Sequence, residues 1–106
     1  MKIDVFEKLL NRRLLLIRDT LHSKGDEYST EEDRLHNFKE AAALTGEWSA
    51  KALLGMLVKH WVSIQDLVSR DGRLLLGHRL SPALVDEKIG DAIAYLILLE
   101  AVLKEE

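Results

Sequence analysis

The stretch that decides the fold is residues 81–104, which read SPALVDEKIGDAIAYLILLEAVLK. It opens with Ser81 and Pro82, a pair typical of a helix start, because serine caps free N–H groups and proline fits the first helical position. Apolar residues then recur at helical spacing with no further proline. We therefore expect one helix over residues 82–104.

The C-terminal half of this helix is apolar on all sides. Between Ala92 and Leu103 only Tyr95 and Glu100 are polar. A small bundle leaves part of each helix facing water, so a helix of this kind needs further cover. A second subunit is one source of that cover, and a central position among the other helices of the same chain is the alternative.

The composition of the whole chain favours helix. Leucine and alanine account for 30 of the 106 residues, whereas valine, isoleucine and threonine account for 15. The first pair favours helices and the second group favours strands. The length suits one domain. We therefore predict an all-α fold, a four-helix bundle-like single domain over residues 1–106 that oligomerisation completes, with helices at approximately 3–24, 31–45, 49–70 and 82–104.

Three short signals set the predicted helix ends. Gly25 follows the first helix and Gly46 follows the second, at positions where glycine commonly ends a helix. Ser49 is the expected cap of the third helix, because a serine side chain there accepts a hydrogen bond from the first turn.

Charge and cysteine content narrow the function classes. The chain has 15 basic and 18 acidic residues, a formal net charge of −3, so neither nucleic acid nor an anionic membrane is an expected partner. Without cysteine, disulfide frameworks, thiolate zinc sites and cysteine nucleophiles are excluded. The first ten residues carry charges that a signal peptide lacks, and no apolar run reaches the roughly 20 residues of a membrane span. We expect a cytoplasmic protein.

Glu87, Asp91 and Tyr95 are spaced four residues apart and so form one polar line on the last helix. Two carboxylates at this spacing repel each other unless positive charge lies between them. Mg²⁺ would supply that charge, because it prefers hard oxygen ligands, and an ion pair with Lys59 is the alternative. Gly90 in the same helix indicates that another helix or a ligand approaches the backbone closely.

Two further polar segments are candidate binding elements. The turn after the first helix either binds a polar ligand or is an ordinary solvated turn. Its candidate residues are Lys24, Asp26, Glu27 and Tyr28. In the second helix His36 is titratable, and Asn37 offers an amide to a base or ribose, or else points to solvent. His60 interrupts the apolar stripe of the third helix, where a histidine is more often a satisfied core residue than a ligand.

Three segments in this order resemble a known family: residues 24–28 (KGDEY), 36–42 (HNFKEAA) and the helix of Asp91 and Tyr95. The segment 87–95, EKIGDAIAY, resembles the second metal-binding helix of the MazG-like all-α nucleoside triphosphate pyrophosphohydrolases. Together the three resemble a small phage and prophage family related to that superfamily. The resemblance implies a helical fold, a nucleotide ligand and Mg²⁺ as cofactor.

The chain also departs from the family pattern. MazG-like enzymes pair this helix with an earlier one that carries a Glu-Glu-x-x-Glu cluster, whereas the corresponding residues 57–63 contain no acid. Lys88 takes the place of the family's glutamate, which leaves Glu87 one position early. Metal-assisted hydrolysis needs several oxygen ligands. Asp91 and Glu87 would therefore need an acid from the turn at residues 26–27 to complete a magnesium site.

The residues and the resemblance lead to two hypotheses. In the first, the protein binds nucleotides and is either a divergent pyrophosphohydrolase or a relative without catalysis. Asp91 and Glu87 would then be catalytic and, with Glu27, hold Mg²⁺. The expected substrate-binding residues are Lys24, Asp26, Tyr28, His36, Asn37, Lys59 and Tyr95. In the second hypothesis, the protein is non-catalytic, with a structural or regulatory role. Both include a homodimer or higher homo-oligomer through helix 82–104.

Overall fold

In a computed structural model, the described part of the chain comprises residues 1–28, 33–69 and 80–105, without the side chains of positions 24 and 26–28. This part contains four helices and no strand, so the all-α prediction is confirmed. The helices are α1 (Ile3–Tyr28), α2 (His36–Thr45), α3 (Ser49–Val68) and α4 (Pro82–Glu105). None of these four helices combines the length and the apolar character that crossing a membrane requires.

The helix α4 holds the fold together, because it packs against both α3 and α1, while α2 packs against α3. Arg12 in the first half of α1 meets Asp86 near the start of α4. Farther along both helices, Leu21 shares a cavity with Leu98. The helices α1 and α4 therefore run parallel.

The helices α3 and α4 run antiparallel and enclose the core with α2. His60 lies beside Asp91, whereas Leu53, earlier in α3, packs with Val102, later in α4. Leu53 and Val102 are almost completely buried, and burial of an aliphatic side chain of this size contributes roughly 1.5–3 kcal/mol. The core comprises Leu35, Phe38, Ala50, Leu53, Leu98 and Val102.

The observed helix ends test the local signals. The Leu84 N–H donates to the Ser81 hydroxyl oxygen over 3.0 Å, so the predicted start of α4 is confirmed. Gly46 adopts a left-handed conformation with φ of 70° and ends α2 as predicted. The prediction for Ser49 is wrong: Trp48 holds the capping position of α3, and no side chain caps this end.

Gly25 does not end α1, contrary to the sequence prediction, because the helix continues through it to Tyr28. A Cβ at this position would lie 3.0 Å from the Arg34 side-chain Nε, and the Arg34 guanidinium also donates to the Leu21 carbonyl oxygen over 3.0 Å. Glycine at this position therefore allows an arginine to pack closely against the helix. A glycine in a helical pattern thus marks either a helix end or a close contact of this kind.

We expect Ser81→Ala to lower the free energy of unfolding by about 1 kcal/mol, because the Leu84 N–H loses its only acceptor among the described side chains. Chemical denaturation followed by circular dichroism measures the change. Ser49→Ala is the matched control, since Ser49 caps nothing in the described structure, and it should change stability by less than about 0.5 kcal/mol. Equal losses in the two variants would contradict this assignment of the caps.

An ion-paired cluster joins the start of α2 to the end of α4. The Leu35 N–H donates to Asp33 Oδ1 over 2.9 Å, in a turn that delays the start of α2 to His36, later than the predicted residue 31. Lys39 Nζ donates to Asp33 Oδ2 over 2.7 Å and to Glu105 Oε1 over 2.5 Å. The Lys39 hydrogen bond, followed by that of Leu35, lowers the pKa of Asp33, and the Asp33 hydrogen bond raises the pKa of Lys39.

The direction of these pKa shifts predicts a pH dependence. A carboxyl whose pKa is lowered by folding stabilises the protein above its unfolded pKa of 3.8, and this contribution is lost as the pH falls through the folded pKa. We therefore expect the difference in melting temperature between the wild type and Asp33→Asn to be constant between about pH 5 and pH 9 and to shrink below pH 3.8.

Thermal melts across this pH range measure the difference, and Asp19→Asn serves as an exposed control that makes none of these contacts. A difference between the wild type and Asp33→Asn that persists unchanged far below pH 3.8 would show that the ion pair with Lys39 is not its source.

Candidate functional site

The polar line of α4 is the starting point of the candidate site. Asp91 is partly buried between α4 and α3, with its Oδ2 3.8 Å from the His60 Nδ1. This distance forms an ion pair when the imidazole is protonated. Glu87 is more exposed and lies one turn earlier, with its Oε1 3.6 Å from Lys88 Nζ. Glu87 thus has the positive charge of Lys88 nearby, and Asp91 has an imidazole beside it, and the sequence analysis assigned neither side chain to these carboxylates.

Tyr95 connects the polar line to a group of aromatic side chains. Its ring lies 4.5 Å, centre to centre, from the His60 imidazole, with a tilt of 35°. The ring of Phe38 approaches Tyr95 edge-on, at 6.4 Å and 76°. Such arrangements match the preference of aromatic quadrupoles for tilted or edge-to-face contact. A continuous row therefore runs from Phe38 through Tyr95 and His60 to Asp91.

A cavity of about 430 Å³ opens at the aromatic end of this row. Its walls combine aromatic and aliphatic surface with one amide and one carboxylate, and its lining residues are Asn37, Phe38, Glu40, Ala41, Leu44, Met56 and Tyr95. Asn37 is exposed in the first turn of α2. Apolar walls with a few polar groups are typical of pockets for planar organic ligands.

At the other end of the row, the side chain of Arg13 in α1 approaches α4 closely. This contact explains why residue 90, next to Asp91, is glycine. A Cβ at Gly90 would lie 2.8 Å from the Arg13 Nη1, so the close approach predicted from Gly90 is that of α1. Arg13 donates to the Asp86 carbonyl oxygen over 3.2 Å and to its Oδ1 over 3.3 Å. Arg12 donates to Asp86 Oδ2 over 2.7 Å. Both arginines are therefore committed to α4.

A polar cleft of about 250 Å³ lies where α1 crosses this part of α4. It brings one guanidinium, one hydroxyl and several carboxylates to the same surface. Its lining residues are Arg13, Leu16, Thr20, Asp86, Glu87, Gly90 and Asp91. Asp91 belongs both to this cleft and to the aromatic row, so it links the two concave surfaces.

The structure brings together some of the predicted site residues and separates others. Asn37 and Tyr95 line one cavity, and Asp91 and Glu87 line the adjoining cleft. Lys59 is exposed and forms no ion pair with any described residue, so the alternative of an ion pair between Lys59 and the two carboxylates is wrong. The remaining turn residues lie outside the described side chains, and they are Lys24, Asp26, Glu27 and Tyr28.

His36 lies in the first turn of α2, next to the Asp33 cluster, where its charge contributes to the lowered pKa of that carboxyl. It does not line the cavity of Asn37. Among the described residues, no three histidine or carboxylate side chains gather closely enough to hold a metal ion. Of the three described carboxylates that line the cleft, Asp86 is paired with Arg12 and Arg13. Glu87 and Asp91 alone do not form a complete magnesium site from protein ligands.

Sequence reasoning missed His60 and Arg13 as parts of this site. His60 shares the inward face of α3 with Leu53, Leu57 and Ile64, so its spacing showed that it faces another helix. A polar residue on such a face needs a polar partner, and in the structure that partner is Asp91 of α4. The same argument applies to Arg13 in the apolar stripe of α1, but the identity of its partner depends on the tertiary arrangement.

Comparison with models of protein families, with curated proteins and with solved structures gives no match for this chain. The resemblance to MazG-like proteins therefore stays a prediction. The arguments for function rest on the geometry of the described residues.

A double-mutant cycle tests the contact between Arg13 and Gly90. Alanine is a better helix former than glycine by about 1 kcal/mol, so we expect Gly90→Ala to stabilise the protein by about that amount in an Arg13→Ala background. In the wild-type background the new Cβ displaces the guanidinium, and the gain should be absent or reversed. Chemical denaturation of the four proteins measures the coupling, and equal effects of Gly90→Ala in both backgrounds would refute it.

Proposed function

We propose that the protein binds nucleoside triphosphates between α2, α3 and α4, as a relative of the MazG-like pyrophosphohydrolases. The observation that carries the proposal is the row of contacts from Phe38 through Tyr95 and His60 to Asp91, with a cavity at its aromatic end. A base needs an aromatic or apolar surface and an amide partner, and a triphosphate with its cation needs carboxylates at a short distance. The row offers both in one continuous surface.

The base is assigned to the cavity of Asn37, Phe38, Met56 and Tyr95. Aromatic rings and a thioether give a base a polarisable surface for stacking, and the exposed Asn37 amide supplies one donor and one acceptor for its edge. Tyr95, which lines this cavity, contacts His60, and His60 lies beside Asp91. The proposal therefore assigns the base to the α2 side and the phosphates to the α4 side.

Magnesium fits this arrangement only as an ion that arrives with the nucleotide. Mg²⁺ is commonly held by one or two carboxylates together with substrate phosphates and waters, and Asp91 and Glu87 are two carboxylates on one face of α4. A third acid, such as the predicted Glu27, would be needed for a site made by the protein alone. We therefore propose binding of the magnesium complex, with pyrophosphate release as the stronger version of the same hypothesis.

Isothermal titration calorimetry with each common ribo- and deoxyribonucleoside triphosphate, with and without Mg²⁺, tests the binding proposal. We expect at least one nucleotide to bind in the presence of Mg²⁺. Asp91→Asn should weaken binding about tenfold or more, the factor that corresponds to about 1.4 kcal/mol of lost interaction. Tyr95→Leu should also weaken it, because stacking on an aromatic ring contributes roughly 1–3 kcal/mol per base.

Asp66→Asn is the matched control, because Asp66 is exposed on α3 and lies outside both concave surfaces. Circular dichroism shows whether Asp91→Asn keeps its fold, which separates loss of binding from loss of structure. A pyrophosphate-release assay on the nucleotide that binds then tests turnover. If no nucleotide binds, shifts the melting temperature or is turned over, the proposal is refuted.

A second candidate function is favoured by a different observation. Large apolar side chains are exposed on α1, α3 and α4. Such surfaces fit a non-catalytic helical protein that functions by binding another protein chain. This candidate includes the homodimer or higher homo-oligomer predicted through helix 82–104. Nucleotide binding would favour the first candidate whatever the oligomeric state, and self-association without nucleotide binding would favour the second.

A further inference from the structure

A cavity between the first half of α1 and the start of α4 belongs to neither of the concave surfaces described above. Its volume is about 570 Å³, larger than the 430 Å³ of the cavity that Tyr95 lines. Small-molecule sites in proteins commonly occupy roughly 300–1,000 Å³ and combine apolar walls with a few polar groups. We call this space the α1–α4 cavity, and its size suits a small organic ligand.

Aliphatic side chains from both helices line the α1–α4 cavity. Val85, Ile89 and Ile93 follow one another at intervals of four residues and therefore share one face of α4. Leu9 lines the cavity from α1 and is 50% exposed. The three α4 side chains are only partly buried. A hydrocarbon group in the cavity would remove more of this apolar surface from water, which favours binding.

The remaining lining residues carry two positive charges and one negative charge. Arg12 and Arg13 both pair with the single carboxylate of Asp86, at 2.7 Å and 3.3 Å. Glu87 lines the neighbouring cleft rather than this cavity, and Lys88 lies 3.6 Å from its carboxylate. One positive charge at the wall of the α1–α4 cavity is therefore left without a matching carboxylate among the described lining residues.

Arg12 is the arginine that a ligand can reach. Its side chain is 62% exposed, whereas that of Arg13 is 16% exposed. Among the described residues, its side chain donates one hydrogen bond, from Nη1 to Asp86 Oδ2, although a guanidinium has five N–H donors. The other nitrogens can bind a carboxylate in the two-pronged geometry that arginine favours. The bond to Asp86 already holds the side chain at the cavity, so less conformational freedom is lost on binding.

We propose that the α1–α4 cavity binds a small amphiphilic carboxylate, with its carboxylate on Arg12 and its hydrocarbon chain between the aliphatic side chains of the two helices. A purely polar anion would leave the aliphatic walls in contact with water, and an uncharged hydrocarbon would leave the surplus positive charge unmatched. One surplus charge fits a ligand with one negative charge.

This site is separate from the proposed nucleotide site. Leu9, Arg12, Val85 and Ile89 line neither the aromatic cavity nor the polar cleft. Binding of a carboxylate here and binding of a nucleotide beside Asp91 can therefore be tested independently.

Isothermal titration calorimetry of the nucleotide-free protein with sodium octanoate tests the proposal. We expect a dissociation constant of about 1 mM or lower. Three comparison compounds separate the contributions: 1-octanol lacks the charge, octylammonium reverses it, and acetate lacks the chain. Each should bind at least about tenfold more weakly than octanoate. Equally tight binding of any of the three, or no binding of octanoate, would overturn the proposal.

Arg12→Gln should weaken octanoate binding about tenfold or more, because the charge-assisted hydrogen bonds to the carboxylate are lost. Arg18→Gln is the matched control, since Arg18 is exposed on the same helix and does not line the cavity. It removes the same charge from the chain and should leave the dissociation constant unchanged. Equal losses in the two variants would show that octanoate responds only to the overall charge and would refute the site.

A measurement on the wild type keeps the test decisive if Arg12→Gln fails to fold. In methyl NMR spectra, octanoate should shift the signals of Val85, Ile89 and Ile93. The signals of Leu54 and Val58, which are exposed on α3 away from this cavity, should stay in place. Shifts of the same size in both groups would indicate general adsorption to apolar surface and would contradict a specific site.

Discussion

The side chain of Arg13 lies against the backbone of α4 at Gly90, and the position of α1 depends on this contact. The guanidinium donates to the carbonyl oxygen and to the carboxylate of Asp86, so a polar side chain takes the place that an apolar ridge usually has between two helices. A Cβ at residue 90 would lie 2.8 Å from the Arg13 Nη1, so the guanidinium would have to move away from this position. Arg34 makes the corresponding contact at Gly25 of α1.

The polar and apolar side chains of α4 lie in different surroundings. The line of Glu87, Asp91 and Tyr95 adjoins the cleft and the aromatic cavity. The apolar residues of the C-terminal half of α4 divide into a buried part, with Leu98 and Val102 in the core, and an exposed part, with Leu96 and Leu103 at the surface.

Local signals made part of this fold predictable. Ser81 with Pro82 and the Thr45–Gly46 pair act through their own backbone hydrogen bonds and dihedral angles, which depend on a few neighbouring residues. The helical periodicity of the apolar residues gave the number and type of the elements for the same reason. The failure at Ser49 shows the limit, because the chain entered α3 with Trp48 at the capping position.

The rest depended on contacts between distant parts of the chain. Gly25 reads as a helix end in the sequence, and only the approach of Arg34 shows why it lies within α1. For the site, the spacing of Asp91 and Tyr95 and the amide of Asn37 were visible in the sequence. That His60 rather than Lys59 would meet Asp91 followed from the antiparallel register of α3 and α4, which no local pattern encodes.

The parallel arrangement of α1 and α4 has a consequence for the order of folding. The contacts of Arg12 and Arg13 with Asp86 close a loop of more than seventy residues, whereas α2 and α3 meet across a short turn. Long loops lose more chain entropy on closure than short ones, and contacts between distant residues form late. We therefore expect α2, α3 and α4 to assemble first. The helix α1, although it comes first in the sequence, is then the last to pack against the others.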